Sequence, residues 1–188
     1  MIFTILLLII GLFILVVFGV LWSILVIDSV LHGHDLPTSR RATKSIIKII
    51  SENKTAKNFY DLGCAKGEFA VRIKRNIPNI SVYGIDNNPT RIFFAKLRSL
   101  FFRCEVKFLR KNIFEVDLSD ADIVYTYLWY DIMPLLEKKL QDELKQGAIV
   151  ITNTSNFPNW KPISKVVTCP QKFIGTPDFE TLFIYQKL

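Results

Sequence analysis

Apolar and polar residues divide the chain into an unbroken apolar start and a remainder of alternating character. Residues 2–27 contain no charged side chain. Beyond them, short apolar runs alternate with segments in which apolar residues recur at helical spacing. This alternation predicts an α/β domain in which mostly parallel strands are joined by crossover connections.

The short apolar runs predict seven strands, and the helically spaced segments predict four helices. The predicted strands cover residues 58–61, 81–86, 105–109, 121–127, 148–152, 163–168 and 179–186. The predicted helices cover residues 40–51, 68–75, 89–103 and 131–144.

The apolar start is long enough to cross the ~30 Å hydrocarbon layer of a membrane. We expect a single membrane span, because a signal peptide would have a basic start, a shorter apolar core and a small-residue cleavage site. The alternative, a buried core helix, would need a larger protein around it. The predicted organisation is a transmembrane anchor at 1–28, a connector at 29–38 and a folded domain at 39–188.

Basic residues set the expected orientation of this span. Four of them follow it closely, namely Arg40, Arg41, Lys44 and Lys48. Because positive charge flanks the cytoplasmic side of membrane helices, we expect the domain to face the cytoplasm, at the inner membrane of a prokaryote. The net charge of +7 lies entirely beyond Ile27.

The cysteines and histidines indicate neither a disulfide framework nor a metal site. The three cysteines are odd in number, widely spaced and without a Cys-x-x-Cys pair, which fits reduced thiols. His32, His34 and Asp35 could be imagined as metal ligands, but the chain has no further histidine to complete a site. We therefore expect no metal.

Residues 89–103 combine four phenylalanines with four basic residues. The phenylalanines are too many for one narrow stripe, and we interpret the helix as a broad-faced core helix. Contact between its outer side chains and a bilayer is the alternative. No known RNA-binding module accompanies these residues, so we expect no nucleic-acid partner.

The stretch NFYDLGCAKGEF, residues 58–69, joins a strand to a helix through a glycine turn. Asp61 ends the strand, and Gly63 and Gly67 bracket the turn. Glycines let the backbone approach a ligand closely, and the free N–H groups of a helix start favour polar or anionic groups. The turn therefore indicates a nucleotide-like ligand, although an ordinary α/β turn is the alternative.

A second acid, Asp86, ends the next predicted strand. It lies about 20 residues after the glycine turn, where an acid is placed to accept hydrogen bonds from two ribose hydroxyls. The alternative is a surface aspartate that begins the turn Asp86-Asn87-Asn88-Pro89.

The glycine turn with its preceding acid resembles the first motif of class I S-adenosylmethionine (SAM) methyltransferases. This resemblance implies a Rossmann-like, seven-stranded, mostly parallel sheet that ends in an antiparallel hairpin around the turn at 175–178. It also implies SAM as cofactor, with Asn112 accepting from the adenine amine and Ile113 covering the ring. The residues expected to bind the cofactor are Thr38, Asp61, Gly63, Gly67, Asp86, Asn87, Asn112 and Ile113.

Residues 120–162 narrow the resemblance to membrane-associated protein lysine methyltransferases of the adenine nucleotide translocase and ATP synthase c subunit type, with their prokaryotic relatives. The shared features are Pro37-Thr38, Tyr127-Leu128, the run Glu143 to Gly147 and Trp160. The resemblance implies methylation of a lysine, and the anchor makes a membrane protein the expected acceptor. We expect Tyr127, Trp129 and Tyr130 to line an aromatic pocket that lowers the pKa of the amine, and Tyr127 to orient this amine.

Two alternative functions stay open from the sequence. The enzyme could methylate a lipid or a lipophilic small molecule instead of a protein. The chain could also be a non-catalytic, membrane-tethered module that binds SAM, because Lys66 puts a positive charge near the cationic sulfonium. The sequence predicts no oligomeric state.

Overall fold

The computed structural model describes residues 2–32, 36–170 and 180–188. The chain divides into two compact units, Met1–Leu36 and Pro37–Leu188. His34, Asp35 and the expected turn at 175–178 lie outside the described residues. The boundaries expected for the anchor, the connector and the domain stay predictions.

The first unit consists of the helix α1 (Ile2–His32). Within it, Ile2–Ile24 is long and apolar enough to cross a membrane, and none of this stretch is buried. This length and composition are shared by membrane anchors and signal sequences.

The second unit contains one seven-stranded sheet with helices on both faces. Its strands are β1 (Asn58–Leu62), β2 (Ser81–Asp86), β3 (Val106–Arg110), β4 (Ile123–Thr126), β5 (Ile149–Asn153), β6 (Ser164–Cys169) and β7 (Glu180–Gln186). Its helices are α2 (Arg40–Glu52), α3 (Glu68–Asn76), α4 (Pro89–Phe101) and α5 (Met133–Glu143), the last preceded by the 3-10 turn Tyr130–Ile132. These bounds agree with the predicted ones to within a few residues, which is the usual uncertainty of element ends.

The strand order across the sheet is β3-β2-β1-β4-β5-β7-β6. Strands β1 to β5 pair in parallel, whereas β7 runs antiparallel to both β5 and β6. The predicted fold class, a mostly parallel methyltransferase sheet with a C-terminal antiparallel hairpin, is confirmed. The carboxyl ends of β1, β2 and β4 therefore meet at one edge, where open α/β sheets bind ligands.

Two hydrophobic cores hold the helices against the sheet. On one face α2, α3 and α4 contribute Ile46, Ile73 and Ile92 to a buried cluster. On the other face α5 contributes Leu136 and Leu140, which pack with residues of the loops after β3 and β5. The chain between β3 and β4 contains no helix, because polar turn residues fill most of residues 111–122.

The structure corrects the interpretation of α4 as a broad-faced core helix. Its sheet-facing side is buried through Ile92, Ala95 and Ser99. Its outer side leaves four large apolar residues exposed to between 46% and 79%, namely Phe93, Leu97, Leu100 and Phe101. Small residues let α4 lie close to the sheet, and nothing among the described residues covers the outer side.

Candidate active site

The glycine turn is attached to the carboxyl end of β2 by backbone hydrogen bonds. The amides of Gly63 and Cys64 both donate to the carbonyl of Ile85, at 2.8 and 2.9 Å. The amide of Gly67 closes the turn by donating to the carbonyl of Cys64 at 2.9 Å. The ends of β1 and β2 are thereby held as one rigid edge.

Three residues of the turn have positive φ: Gly63 at 80°, Ala65 at 46° and Gly67 at 71°. The amides of Gly63, Cys64 and Gly67 donate to backbone carbonyls and that of Ala65 donates to Asp86 Oδ2, so the left-handed residues form a tight, internally bonded turn. Ala65 is therefore a non-glycine residue in the left-handed region, which costs about 1 kcal/mol.

Asp86 is buried and fixes this turn through its carboxylate. Its Oδ2 accepts from the amide of Ala65 at 3.0 Å, and its Oδ1 accepts from the amide of Asn88 at 2.9 Å. Each carboxylate oxygen has two lone pairs, so such a group can accept further donors. The hydrogen bond to Ala65 explains how the strained residue is held in place.

Asp61 is buried at the end of β1, and its Oδ2 has no hydrogen-bond partner among the described residues. Burial raises the pKa of Asp61 to about 8, and the nearby carboxylate of Asp86 adds to the increase. A buried acceptor without a donor is costly, so its position points to a ligand group that would satisfy it.

We expect this raised pKa to make stability fall as pH rises. The folded state keeps the Asp61 proton up to pH of about 8, whereas the unfolded chain loses it near its ordinary pKa of 3.8. Between these values the folded state binds more protons, so the free energy of unfolding declines by up to about 1.4 kcal/mol per pH unit.

The variant Asp61→Asn tests this, because it keeps the shape and cannot ionise. Urea unfolding of the full chain in non-ionic detergent should show the wild-type protein losing stability between pH 5 and pH 8 relative to Asp61→Asn. Parallel pH profiles of the two proteins would contradict the raised pKa.

A buried polar network beside Asp61 was missed by the sequence analysis. Tyr125 of β4 is the register partner of Asp61, and its hydroxyl lies 2.7 Å from Thr38 Oγ1. The Tyr125 hydroxyl also accepts from Asn153 Nδ2 at 3.2 Å, and the same Nδ2 donates to Glu180 Oε1 at 2.9 Å. Thr38, an expected cofactor residue, is thereby brought to the carboxyl edge next to Asp61.

Glu180 is the acid that ends this network. Burial acts to raise its pKa, but donors from Asn153, Ser39 and Thr168 outweigh this and hold the pKa below its usual range. Thr168 Oγ1 donates to Glu180 Oε2 at 2.8 Å, and the amide of Ser39 donates to Oε1 at 3.2 Å. Glu180 therefore links the start of α2 to strands β5, β6 and β7 in its ionised form.

The remaining expected cofactor residues lie at the ends of β2 and β3. Asn87 is exposed, and its carbonyl accepts from Arg110 Nε at 3.4 Å. Asn112 is exposed, and its Oδ1 accepts from the amide of Phe114 at 3.1 Å. Ile113 is half-buried against the core beneath α5. The adenine contacts expected of Asn112 and Ile113 stay predictions.

The loop after β4 carries the expected catalytic residues. Tyr127 is half-buried against the core, whereas Trp129 and Tyr130 are 66% and 77% exposed. Ser155 Oγ donates to the carbonyl of Leu128 at 2.9 Å and ties this loop to the loop after β5. The expected aromatic pocket is therefore not closed by these residues, since two of the three project into solvent.

The site fits SAM by two features. The buried Asp61 Oδ2 lacks a donor among the described residues, which suits an ammonium group. The second feature is the buried Asp86 carboxylate at the same edge, whose oxygens have lone pairs for further donors beside the turn at Gly63 and Gly67. Among the described residues, no group of three or more His, Cys, Asp or Glu is placed to hold a metal ion.

Residues 61–164 match the family model of the ANTKMT methyltransferase domain. This span contains the glycine turn, Asp86, the loop after β4, and strand β5. It covers more than half of the chain.

Two relatives of known activity are similar in sequence. A protein-lysine N-methyltransferase of Saccharolobus islandicus is 26% identical over 135 residues, covering 70% of this chain and 82% of that protein. The adenine nucleotide translocase lysine N-methyltransferase of Mus musculus is 34% identical over 85 residues, covering 44% of this chain and 37% of that protein. The chain thus spans most of the archaeal relative but well under half of the mouse one.

A solved structure has the same fold. The RNA methyltransferase of Salinibacter ruber in complex with S-adenosylhomocysteine superposes with a TM-score of 0.68, covering 80% of this chain and 93% of that one. Its sequence identity is 22%, so the likeness concerns the fold.

Proposed function

Because this chain belongs to the ANTKMT methyltransferase domain family, we propose that it transfers a methyl group from SAM to a lysine side chain of a membrane protein. The family match carries this proposal, since it covers the glycine turn, Asp86 and the loop that follows β4. The predicted enzyme class, a SAM-dependent methyltransferase, and the predicted cofactor agree with the family and are confirmed.

Residues at the carboxyl edge would hold the cofactor. Asp61 would accept from its ammonium group, the turn at Gly63 and Gly67 would lie against its amino-acid part, and Asp86 would accept from the ribose hydroxyls. When bound, SAM supplies a methyl group on a cationic sulfonium. Thr38, which contacts the Tyr125 hydroxyl, would lie beside the cofactor at the same edge of the sheet.

The acceptor amine would reach this edge beside the loop after β4. A lysine attacks only in its neutral form, and a water-excluding aromatic environment lowers its pKa. Because Trp129 and Tyr130 are exposed, we infer that the acceptor protein itself covers them and completes the dry environment. Tyr127, whose side chain is half-buried at the start of this loop, would orient the amine.

The proposed acceptor class is supported by the relatives and by α1. Lysine is the residue that the archaeal and mouse relatives methylate, and the mouse enzyme acts on the adenine nucleotide translocase. An N-terminal anchor at Ile2–Ile24 would restrict the enzyme to acceptors near a bilayer. Exposed basic residues at the start of α2, Arg40, Arg41 and Lys44, favour a cytoplasmic orientation.

We expect the full chain to label protein when it is incubated with methyl-labelled SAM and membranes of a host that lacks the gene. Most of the label should enter the precipitated protein fraction and little should enter the organic extract. The variant Asp86→Ala should lose most of this transfer, and the exposed-surface variant Asp142→Ala should keep it. Scintillation counting of the two fractions provides the measurement.

Each competing function predicts a different distribution of label. Label in the organic extract would favour a lipid or lipophilic acceptor over a protein. Retained binding of SAM without transfer to either fraction would favour a non-catalytic SAM-binding module. Both results would overturn the proposed acceptor while leaving the family intact.

A further inference from the structure

The outer side of α4 is an apolar stripe without a partner among the described residues. Its members are Phe93, Leu97, Leu100 and Phe101, called the α4 face below. They recur at the spacing of one helical face and are exposed to 55%, 46%, 75% and 79%. Large apolar residues gathered on one exposed side mark an interaction surface rather than ordinary surface variation.

Basic residues are frequent in α4 and in the strand that follows it. Residues 89–111 contain seven Lys and Arg and one acidic residue, Glu105. Five of the seven basic residues are exposed, namely Lys96, Arg103, Lys107, Arg110 and Lys111. Lys107 contacts the Tyr83 ring on the opposite face of the sheet, so the other four are the ones available to the α4 side. Most of the net charge of +7 is therefore concentrated around this one helix and the strand that follows it.

A pocket of about 400 Å³ adjoins this surface between α3 and α4. Of the described residues, three arginines line it, Arg72, Arg75 and Arg98, together with one acid, Glu68. Glu68 pairs with Arg72 at 2.5 Å and with Arg98 at 3.8 Å, while the Arg75 guanidinium lies 4.7 Å from the Phe102 ring centre. One carboxylate cannot balance three guanidiniums, and guanidinium groups bind phosphate oxygens well.

We propose that the α4 face is a second membrane-binding element, which lies in the interface of an anionic bilayer with its apolar side chains at the level of the first acyl carbons. An apolar stripe flanked by basic residues is the pattern of an interfacial helix. The arginine pocket between α3 and α4 would take the phosphate of a lipid headgroup. The proposal is independent of methyl transfer and uses the anchor only as a means of bringing the domain to a bilayer.

The composition favours lipid over a macromolecular partner. Lys96 borders the α4 face, three residues after Phe93 and four before Leu100, and lysine is depleted in the cores of protein interfaces. Two of the four members of the α4 face, Leu97 and Leu100, offer no stacking surface to bases, whereas sequence-tolerant RNA binding relies on successive aromatic residues. Lysine beside leucine and phenylalanine suits the boundary between headgroups and acyl chains.

Photo-crosslinking tests this with the full chain in nanodiscs. The discs contain phosphatidylcholine with a diazirine near the headgroup end of its acyl chain, with or without added phosphatidylglycerol. After trypsin digestion, the peptide 99–103 reports the α4 face and the peptide 1–40 reports the anchor. We expect lipid adducts on peptide 99–103. Their yield, divided by the yield on peptide 1–40, should be about fivefold or more higher in discs with phosphatidylglycerol than in discs without it.

A variant separates specific contact from random collision. In Leu100→Glu/Phe101→Glu both altered side chains are exposed, so the fold should persist, and adducts on the unaltered peptide 92–96 should fall about fivefold or more. The matched control Ile163→Glu changes a 60% exposed residue elsewhere and should leave the 92–96 adducts unchanged.

The two peptides keep the two membrane proposals apart. Peptide 146–165 measures the background of random labelling. If peptide 1–40 is labelled but peptide 99–103 is labelled no more than this background, the α4 proposal is overturned and the anchor stays supported. Adducts on 99–103 without adducts on 1–40 would support α4 and contradict the anchor. Absence of lipid adducts on 99–103 together with crosslinks to a thiouridine-containing RNA would replace the bilayer by nucleic acid.

Discussion

Replacement of Asp86 by alanine should weaken SAM binding by about 100-fold or more. The proposed ribose contact consists of two hydrogen bonds to a charged acceptor, each worth about 1.5–3 kcal/mol. The same carboxylate holds the amides of Ala65 and Asn88 at 3.0 and 2.9 Å, so its loss also loosens the glycine turn. Titration calorimetry of the full chain in detergent with SAM and with S-adenosylhomocysteine provides the measurement.

Controls separate lost ribose contacts from a damaged fold. Asp142→Ala removes an exposed acid of α5 and should bind SAM like the wild type. Asp86→Asn keeps the size of the side chain and one acceptor oxygen, so its affinity should lie between those of the wild type and Asp86→Ala. Unchanged affinity in Asp86→Ala would remove Asp86 from the ribose site.

Gly67→Ala should destabilise the domain by about 3 kcal/mol. The left-handed φ of 71° costs a residue with a Cβ atom about 1–2 kcal/mol. A Cβ atom would also lie 2.5 Å from Phe108 Cζ and 2.8 Å from Ala95 Cβ, and overpacking of this kind costs about 1–3 kcal/mol. Phe108 cannot retreat easily, because it also packs against Gly84.

Gly147→Ala is the matched control for this change. Gly147 has a similar φ of 81°, but an added Cβ would meet no atom within 4 Å. It should therefore cost only the left-handed backbone conformation, about 1–2 kcal/mol. Urea unfolding of the two variants in detergent measures the difference, and equal losses would show that the contacts of Gly67 with Phe108 and Ala95 are unimportant.

The order of strands and helices was predictable because each element carries its own period. Residues 81–86 alternate within a short apolar run, and residues 131–144 repeat apolar positions at helical spacing. The outer side of α4 was not predictable in the same way. Its apolar residues occur around most of the helix, so the pattern could not tell which of them the sheet covers.

The part of the site that lies at the ends of neighbouring strands was predictable from the spacing of its residues along the chain. Asp61, the glycine turn and Asp86 lie close to one another along the chain and at strand ends, so their convergence follows from the topology. The contact between Thr38 and Tyr125 joins residues that lie 87 positions apart. Asn153 and Glu180 join the same network across two strands, and no local pattern marks such partners.

The identity of the methylated residue tests the proposed function most directly. Labelled membrane protein from the transfer reaction can be hydrolysed to amino acids and separated against methyl-lysine, methyl-arginine and methyl-histidine standards. Methylation of lysine predicts that the label elutes with mono-, di- or trimethyl-lysine and is missing in the reaction with Asp86→Ala. Label that elutes with another amino acid, or that is lost as volatile methanol from a carboxyl ester, would contradict a lysine methyltransferase.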